Sequence, residues 1–228
     1  MHGLLSLPAE DVPGAPPAGL PATPSWREIF SVRVGSDIVN RPGGFASRVL
    51  VASPRMGDAN FTRTVILVIA HTADGAVGVV LNRPSATKVG DPLPKWGTFA
   101  AEPGVVFVGG PVSPGAAICV AVCHPGAEGT GDDGSLSPLS GRLATLDLGA
   151  EPSDVRARVA SMRVFSGYAG WGAGQLDAEV AGGSWFGVDA EEDDVVTPDP
   201  DDLWRGVLHR QHGRLALLAN FPHDLIVN

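Results

Sequence analysis

The stretch Thr64-Val-Ile-Leu-Val-Ile-Ala-His71-Thr-Ala-Asp74-Gly75-Ala76-Val-Gly-Val-Val-Leu81 is two apolar, β-branched runs joined through an Asp-Gly pair. Runs of this length and composition suit buried strands, and Asp-Gly between them is a hairpin signal. The same grammar continues on either side. Arg48 to Ser53 precedes it as a strand, and Val105 to Val108 and Ala117 to Val122 follow as two more, joined through Gly109-Gly110-Pro111. Residues 125 to 142 are rich in Gly, Ser and Asp and read as an exposed loop, and Thr145 to Asp147 reads as a short strand.

Beyond residue 150 the periodicity changes. Ser153 is placed to cap a helix carrying Val155, Val159 and Met162 on one face. Arg163 to Tyr168 reads as a strand, Gly172 to Val180 as a glycine-led helix closed by Gly182-Gly183, and Ser184 to Val188 as a strand. Pro198-Asp199-Pro200 predicts a helix start with Asp199 as its cap, Gly213 ends that helix, and Leu215 to Ala219 reads as a last strand. Consecutive strands followed by interspersed helices predict an α+β fold: a curled, largely antiparallel sheet surrounded by helices. Residues 1–36 hold Pro8, Pro13, Pro16, Pro17, Pro21 and Pro24, a composition that predicts a disordered extension, and residues 37–228 read as a single domain.

Charge and cysteine usage narrow the function. The net charge is −9, and eight of the 25 acids lie between Asp189 and Asp202, a segment that reads as a solvated loop leading into a capped helix. Nucleic-acid binding needs clustered Lys and Arg for phosphate neutralisation, and no such cluster occurs, so direct binding to nucleic acid is disfavoured. Cys119 and Cys123 alternate on one strand face, too far apart for an easy disulfide, and with His124 they cannot close around a metal. No run is long enough to span a bilayer and no secretory leader is recognisable, so a cytoplasmic protein without metal or cofactor is expected.

No Gly-x-Ser-x-Gly, His-Glu-x-x-His or Walker A sequence is present. What stands out instead is a set of turns at strand ends. Gly167 to Gln175 leads from a strand into a helix through closely spaced glycines, a geometry that exposes backbone N–H groups or simply makes a tight crossing. Asn82 and Arg83 precede Pro84 where the chain must leave the sheet, with Arg83 able to hold an anion or to pair with a structural acid such as Asp58. The cleft expected from these turns is lined by Asn82, Arg83, Gly110, Gly170, Gly172 and Gln175.

Several of these segments together resemble one family. Pro54-Arg-Met, Phe61-x-Arg63-Thr-Val, Gly78-Val-Val-Leu-Asn-Arg-Pro84, Phe107-x-Gly-Gly-Pro-Val112, and Gly167-Tyr-Ala-Gly-Trp-Gly-x-Gly-Gln-Leu-x-x-Glu179 followed by Trp185 are similar to the AlgH/YqgE family of bacterial proteins, over roughly residues 43 to 228. The resemblance implies a small β-barrel-like sheet surrounded by helices. It implies no settled activity and no agreed catalytic residues, and some members carry a transcriptional-regulator label.

Three functional expectations follow. The first is a non-enzymatic regulatory or interaction protein that binds a protein partner or a small anionic ligand. The second is an enzyme acting on an anionic small molecule, with Arg83 or Arg55 as anchor and Glu179 or His71 as acid/base. The third, direct DNA binding, is disfavoured by charge.

Overall fold

The computed structural model describes residues 44–127 and 134–222. The N-terminal extension lies outside those residues. Among the described residues ten strands occur: β1 Arg48–Ala52, β2 Val65–Thr72, β3 Gly75–Val80, β4 Pro84–Lys88, β5 Val105–Val108, β6 Val112–Cys123, β7 Leu136–Pro138, β8 Leu143–Leu146, β9 Val159–Gly172 and β10 Trp185–Asp189. Five short helices accompany them: α1 Pro152–Val155, α2 Gln175–Ala181, α3 Glu192–Val196, α4 Leu203–His209 and α5 Arg214–Leu218.

The strands order as β10-β1-β2-β3-β9-β6-β8-β7, with β5 joining β9 and β4 joining β5. Of the pairings between these described strands only β5 with β9 is parallel, so this is the curled antiparallel sheet expected, a half-barrel with few helices. The 14-residue β9 organises it: its early residues pair with β6, and its last four with β3. Between these stretches Gly167 takes φ 72°, and β6 shifts register between Val112 and Ala117. One long strand therefore serves two parts of the sheet.

Side-chain alternation builds two covered faces. Val49 and Val51 of β1, with Val65 and Leu67 of β2, join Phe107, Phe165, Val207 and Leu208 in one core. Their neighbours Leu50, Ala52, Ile66 and Val68 face the other way, against Trp171, Leu176 and Trp185. A third core of Val106, Ala121, Met162 and Val164 packs against Leu93, Trp96 and Phe99. Burial on both faces is why β2 is a nearly continuous apolar run rather than an alternating one.

Several expectations are corrected. The helix read onward from Asp154 stops at Val155, because Val159 and Met162 are already the inward residues of β9. Leu215 to Ala219 is helical, with Leu215 and Leu218 packed on the core while Leu217 is 70% exposed. A strand's alternation cannot place residues three apart on one face, whereas a helix does. Strand β7 lies in the stretch read as loop, and β4 was not expected at all. The acidic segment is largely solvated as expected, six of its eight acids being exposed, but it is more than a loop: Glu191 caps α3 in a reciprocal capping box with Asp194, and Arg210 pairs with both. Glu192 pairs with Arg142 and Asp189 with Arg48.

Candidate functional site

The six candidate residues do not form one cleft. Gly172 pairs with Gly75 at the start of β3, and Gly170 with Val77, whereas Asn82 and Arg83 follow the end of that strand. At about 3.3 Å per extended residue, Gly75 and Asn82 stand roughly 20 Å apart. Gly110 lies between the two groups, across from Tyr168.

Each group has an architectural role. The buried Asn82 amide accepts the Val65 N–H at 3.0 Å and donates to the Arg63 carbonyl at 2.8 Å, bolting the ends of β2 and β3 together. Arg83 donates to the Thr62 carbonyl at 2.6 Å, so its structural partner is that carbonyl rather than Asp58. Burial lowers the Arg83 pKa, against an opposing pull from Asp201. Arg63 has φ 53°; its guanidinium lies over the Trp204 ring at 4.5 Å and donates to the Phe221 and Pro222 carbonyls. The family-like segments around Arg63 and around Asn82-Arg83 are thus two halves of one joint. A Cβ on Gly110 would sit 2.2 Å from the Tyr168 carbonyl carbon, so only glycine allows the β5–β6 turn to pass there.

At the other end, Gln175 Oε1 accepts the Gly172 N–H at 3.0 Å, and its amide donates to Glu179 Oε1 at 2.8 Å. Glu179 Oε2 receives the indole N–H of Trp171 at 3.0 Å and of Trp185 at 2.8 Å. The glycine-led turn holds its own helix, and both oxygens of the carboxylate are engaged. His71 is 1% exposed; its Nδ1 accepts the Phe45 N–H at 3.0 Å and its Nε2 lies 3.5 Å from Asp177. Neither proposed acid/base faces an open cavity together with Arg83.

The sequence reading missed two charged groups. Arg163 is buried at 1% exposure, stacked on the Phe107 ring at 4.1 Å, with Nη2 bonded to the Glu102 and Thr197 carbonyls. Burial pushes its pKa down to about 10. A charged residue between Met162 and Val164, in a strand with both faces covered, was the available signal. Arg210 is the other: burial draws its pKa down, but the hydrogen bond and charge of Asp194, with Glu191 and Asp189, outweigh that and raise it.

An open groove of about 520 Å³ is walled by residues 53–57, residues 182–184, Phe186, Leu218 and Phe221. Pro54, Met56 and the aromatic rings give it an apolar wall, and Arg55 is the one charged residue among its described lining. The Arg55 backbone N–H is held by Ser53 Oγ at 3.3 Å, while its exposed guanidinium has no partner among the described residues. The acidic pocket around Arg142 and residues 190–193 is smaller, about 460 Å³, and its arginine is already paired with Glu192. Among the described residues no cluster of His, Cys, Asp or Glu is arranged for a metal, and no helix is long and apolar enough to cross a membrane.

A family model described as AlgH-like matches residues 49–216. The chain is 46% identical over 181 residues to UPF0301 protein SCO2948 of Streptomyces coelicolor, covering 79% of this chain and 94% of that one. It is 42% identical over 183 residues to a UPF0301 protein of Mycobacterium tuberculosis, covering 80% and 90%. Among solved structures, protein DIP2367 of Corynebacterium diphtheriae superposes with a TM-score of 0.74 at 35% identity, over 77% of this chain and 92% of that one. The AlgH protein of Pseudomonas aeruginosa superposes with a TM-score of 0.56 at 27% identity, over 80% and 96%.

Proposed function

Because the chain belongs to the AlgH-like family, we propose that it works by binding rather than by catalysis, as a regulatory or interaction protein that holds a protein partner or a small ligand. One observation carries this reading. The polar side chains of the family-like segments are taken up by the fold's own contacts: Arg63, Asn82, Arg83 and Glu179, with the exposed Gln175, all bond to backbone or to tryptophan. Arg55 alone among those segments points its charge at an open surface. A site with a single cation beside apolar walls can recognise and orient an anionic group, and among the described residues its lining offers no acid/base pair within reach of one. Direct DNA binding stays disfavoured, since the net charge of −9 opposes approach to phosphate. Cys119 and Cys123 are buried and lie outside any disulfide, which supports a cytoplasmic setting for this role.

Native mass spectrometry of the purified full chain, compared with its denatured mass, tests the proposal. A non-covalent adduct or a stoichiometric companion chain is the expected result. Turnover of an anionic substrate that Glu179→Gln or His71→Phe abolishes would return the assignment to an enzyme.

A further inference from the structure

We propose that the groove beside Arg55 is the binding site for a small organic anion, with a carboxylate or phosphate head and an apolar body; this rests on the binding reading above. Its volume of about 520 Å³ falls in the range of small-molecule sites, roughly 300–1,000 Å³. Charge complementarity selects the head group. Among the described residues the lining holds one guanidinium and two serine hydroxyls, Ser53 and Ser184, and no carboxylate, in a chain whose overall charge is −9. An exposed arginine without an internal partner can close a two-pronged contact on a carboxylate or phosphate. The apolar body is selected by the rest of the wall: Pro54, Met56, Phe186, Leu218 and Phe221.

The neighbouring sheet edge argues for a small molecule over an added peptide strand. Ser53 donates to the Ser184 carbonyl, which continues the β1–β10 register, so Ser184, Phe186 and Val188 aim their backbone groups at β1. Trp185, Gly187 and Asp189 then aim outward. The carbonyls of Gly187 and Asp189, which an incoming strand would need, already accept from Arg48 and Arg210. Side chains that cap an edge in this way block strand addition.

Titration of the full chain, residues 223–228 included, with octanoate, octyl phosphate, octanol and inorganic phosphate tests the proposal, followed by backbone amide shifts. Octanoate or octyl phosphate is expected to bind at one saturable site, moving amides of residues 53–57 and 182–186, and comparison of the two tells which head group is preferred. Octanol and inorganic phosphate each lack one half of the ligand and are expected to bind at least about ten-fold more weakly. Losing a charge-assisted hydrogen bond makes Arg55→Ala weaken binding by roughly ten-fold or more, and Arg55→Glu abolishes it. Arg55 is exposed, so both variants fold. The proposal is overturned if neither amphiphile binds, if Arg55→Ala binds like the parent, if the shifts lie elsewhere, or if binding emerges only after residues 223–228 are removed. An adduct or partner seen by native mass spectrometry alongside a silent groove would remove this site and leave the binding reading standing. Turnover would remove the binding reading while the anion preference of the groove stayed measurable.

Discussion

Trp185 donates its indole N–H to Glu179 Oε2 at 2.8 Å, and the same oxygen takes the Trp171 indole at 3.0 Å. The two rings meet edge to face at 6.1 Å. A helix residue thereby fastens the end of β9 to the start of β10, which are not neighbours in the sheet. A glutamate that looked like a candidate acid/base is a clamp on two tryptophans.

Replacing Glu179 with Leu leaves two indole donors in a mostly apolar setting without acceptors. An unsatisfied buried donor costs about 1–3 kcal/mol, so a loss of about 2–4 kcal/mol is expected for the pair. Glu179→Gln keeps one good acceptor and should lose about half as much. Urea unfolding followed by tryptophan emission reads both. Midpoints equal to that of the parent would refute the clamp.

Asn82 makes a sharper case because its amide uses both ends. Asn82→Ala strands the Val65 N–H and the Arg63 carbonyl, at an expected cost of about 2–4 kcal/mol. Asn82→Asp keeps the acceptor but turns a carboxylate oxygen toward the Arg63 carbonyl. Its deficit should therefore be larger at pH 7 than at pH 4.5, where a protonated carboxyl can donate. A deficit independent of pH would show that the amide donor contributes nothing.

The elements legible in sequence were those with local punctuation. Asp74-Gly75 marked the β2–β3 hairpin, Pro198-Asp199-Pro200 the approach to α4, and Gly172 to Gln175 the entry to α2. What misled were segments whose identity depends on distant partners. Val159 and Met162 fit a helical stripe, but β6 lies alongside to claim them as strand. Leu215 and Leu218 are helical because a core is available on one side only. β4 carries almost no apolar signal, and it exists through its pairing with β5. The candidate cleft failed for a related reason: the turns were correctly placed at strand ends, but sequence did not say which ends. Arg55 was legible as part of a turn, but that its guanidinium has no partner among the described residues could be seen only in the fold.

Burial sets the behaviour of Cys119. Its thiol is 2% exposed, packed at 3.3 Å from the Met162 sulfur, and desolvation raises its pKa above the usual thiol value. A thiol whose folded pKa lies above its unfolded one contributes stability that is complete below the unfolded pKa and declines as pH rises through the folded one. Alkaline conditions above about pH 9 should therefore weaken the fold through this group, and Cys119→Ala should flatten that part of the profile. At pH 8 a thiol reagent should label Cys119 only as fast as the protein opens. Rapid labelling of the folded chain would contradict the buried position.

Phe45 and His71 tie the segment before β1 to β2. The Phe45 amide donates to Nδ1, its ring stacks on the imidazole at 5.8 Å, and it lies over Gly187, where a Cβ would meet the ring at 2.9 Å. His71→Phe preserves the stack and removes the acceptor. Hydrogen exchange at the Phe45 amide should then accelerate by about ten-fold or more, consistent with loss of a bond worth about 1–2 kcal/mol, while amides of β2 and β3 keep their protection. Loss of protection throughout the hairpin would instead make His71 a core residue of the whole sheet.

Asp194 and Arg210 put the same logic at the acidic end of the chain. Asp194 is 2% exposed, caps α3 from within, and meets Arg210 through two contacts, one of them at 2.7 Å. Removing only the arginine leaves a buried carboxylate with the Glu191 N–H as its remaining donor, beside Asp189 and Glu191. Breaking a buried pair from one side typically costs about 3–5 kcal/mol, whereas replacing both members with apolar groups of similar volume is often near neutral. Arg210→Met should therefore destabilise the chain by about 3 kcal/mol in urea, and adding Asp194→Leu should recover much of that loss. If the double variant is as unstable as the two single losses added together, the pair is not coupled. The acidic run would then owe its order to the apolar contacts of Val195 and Trp204 alone.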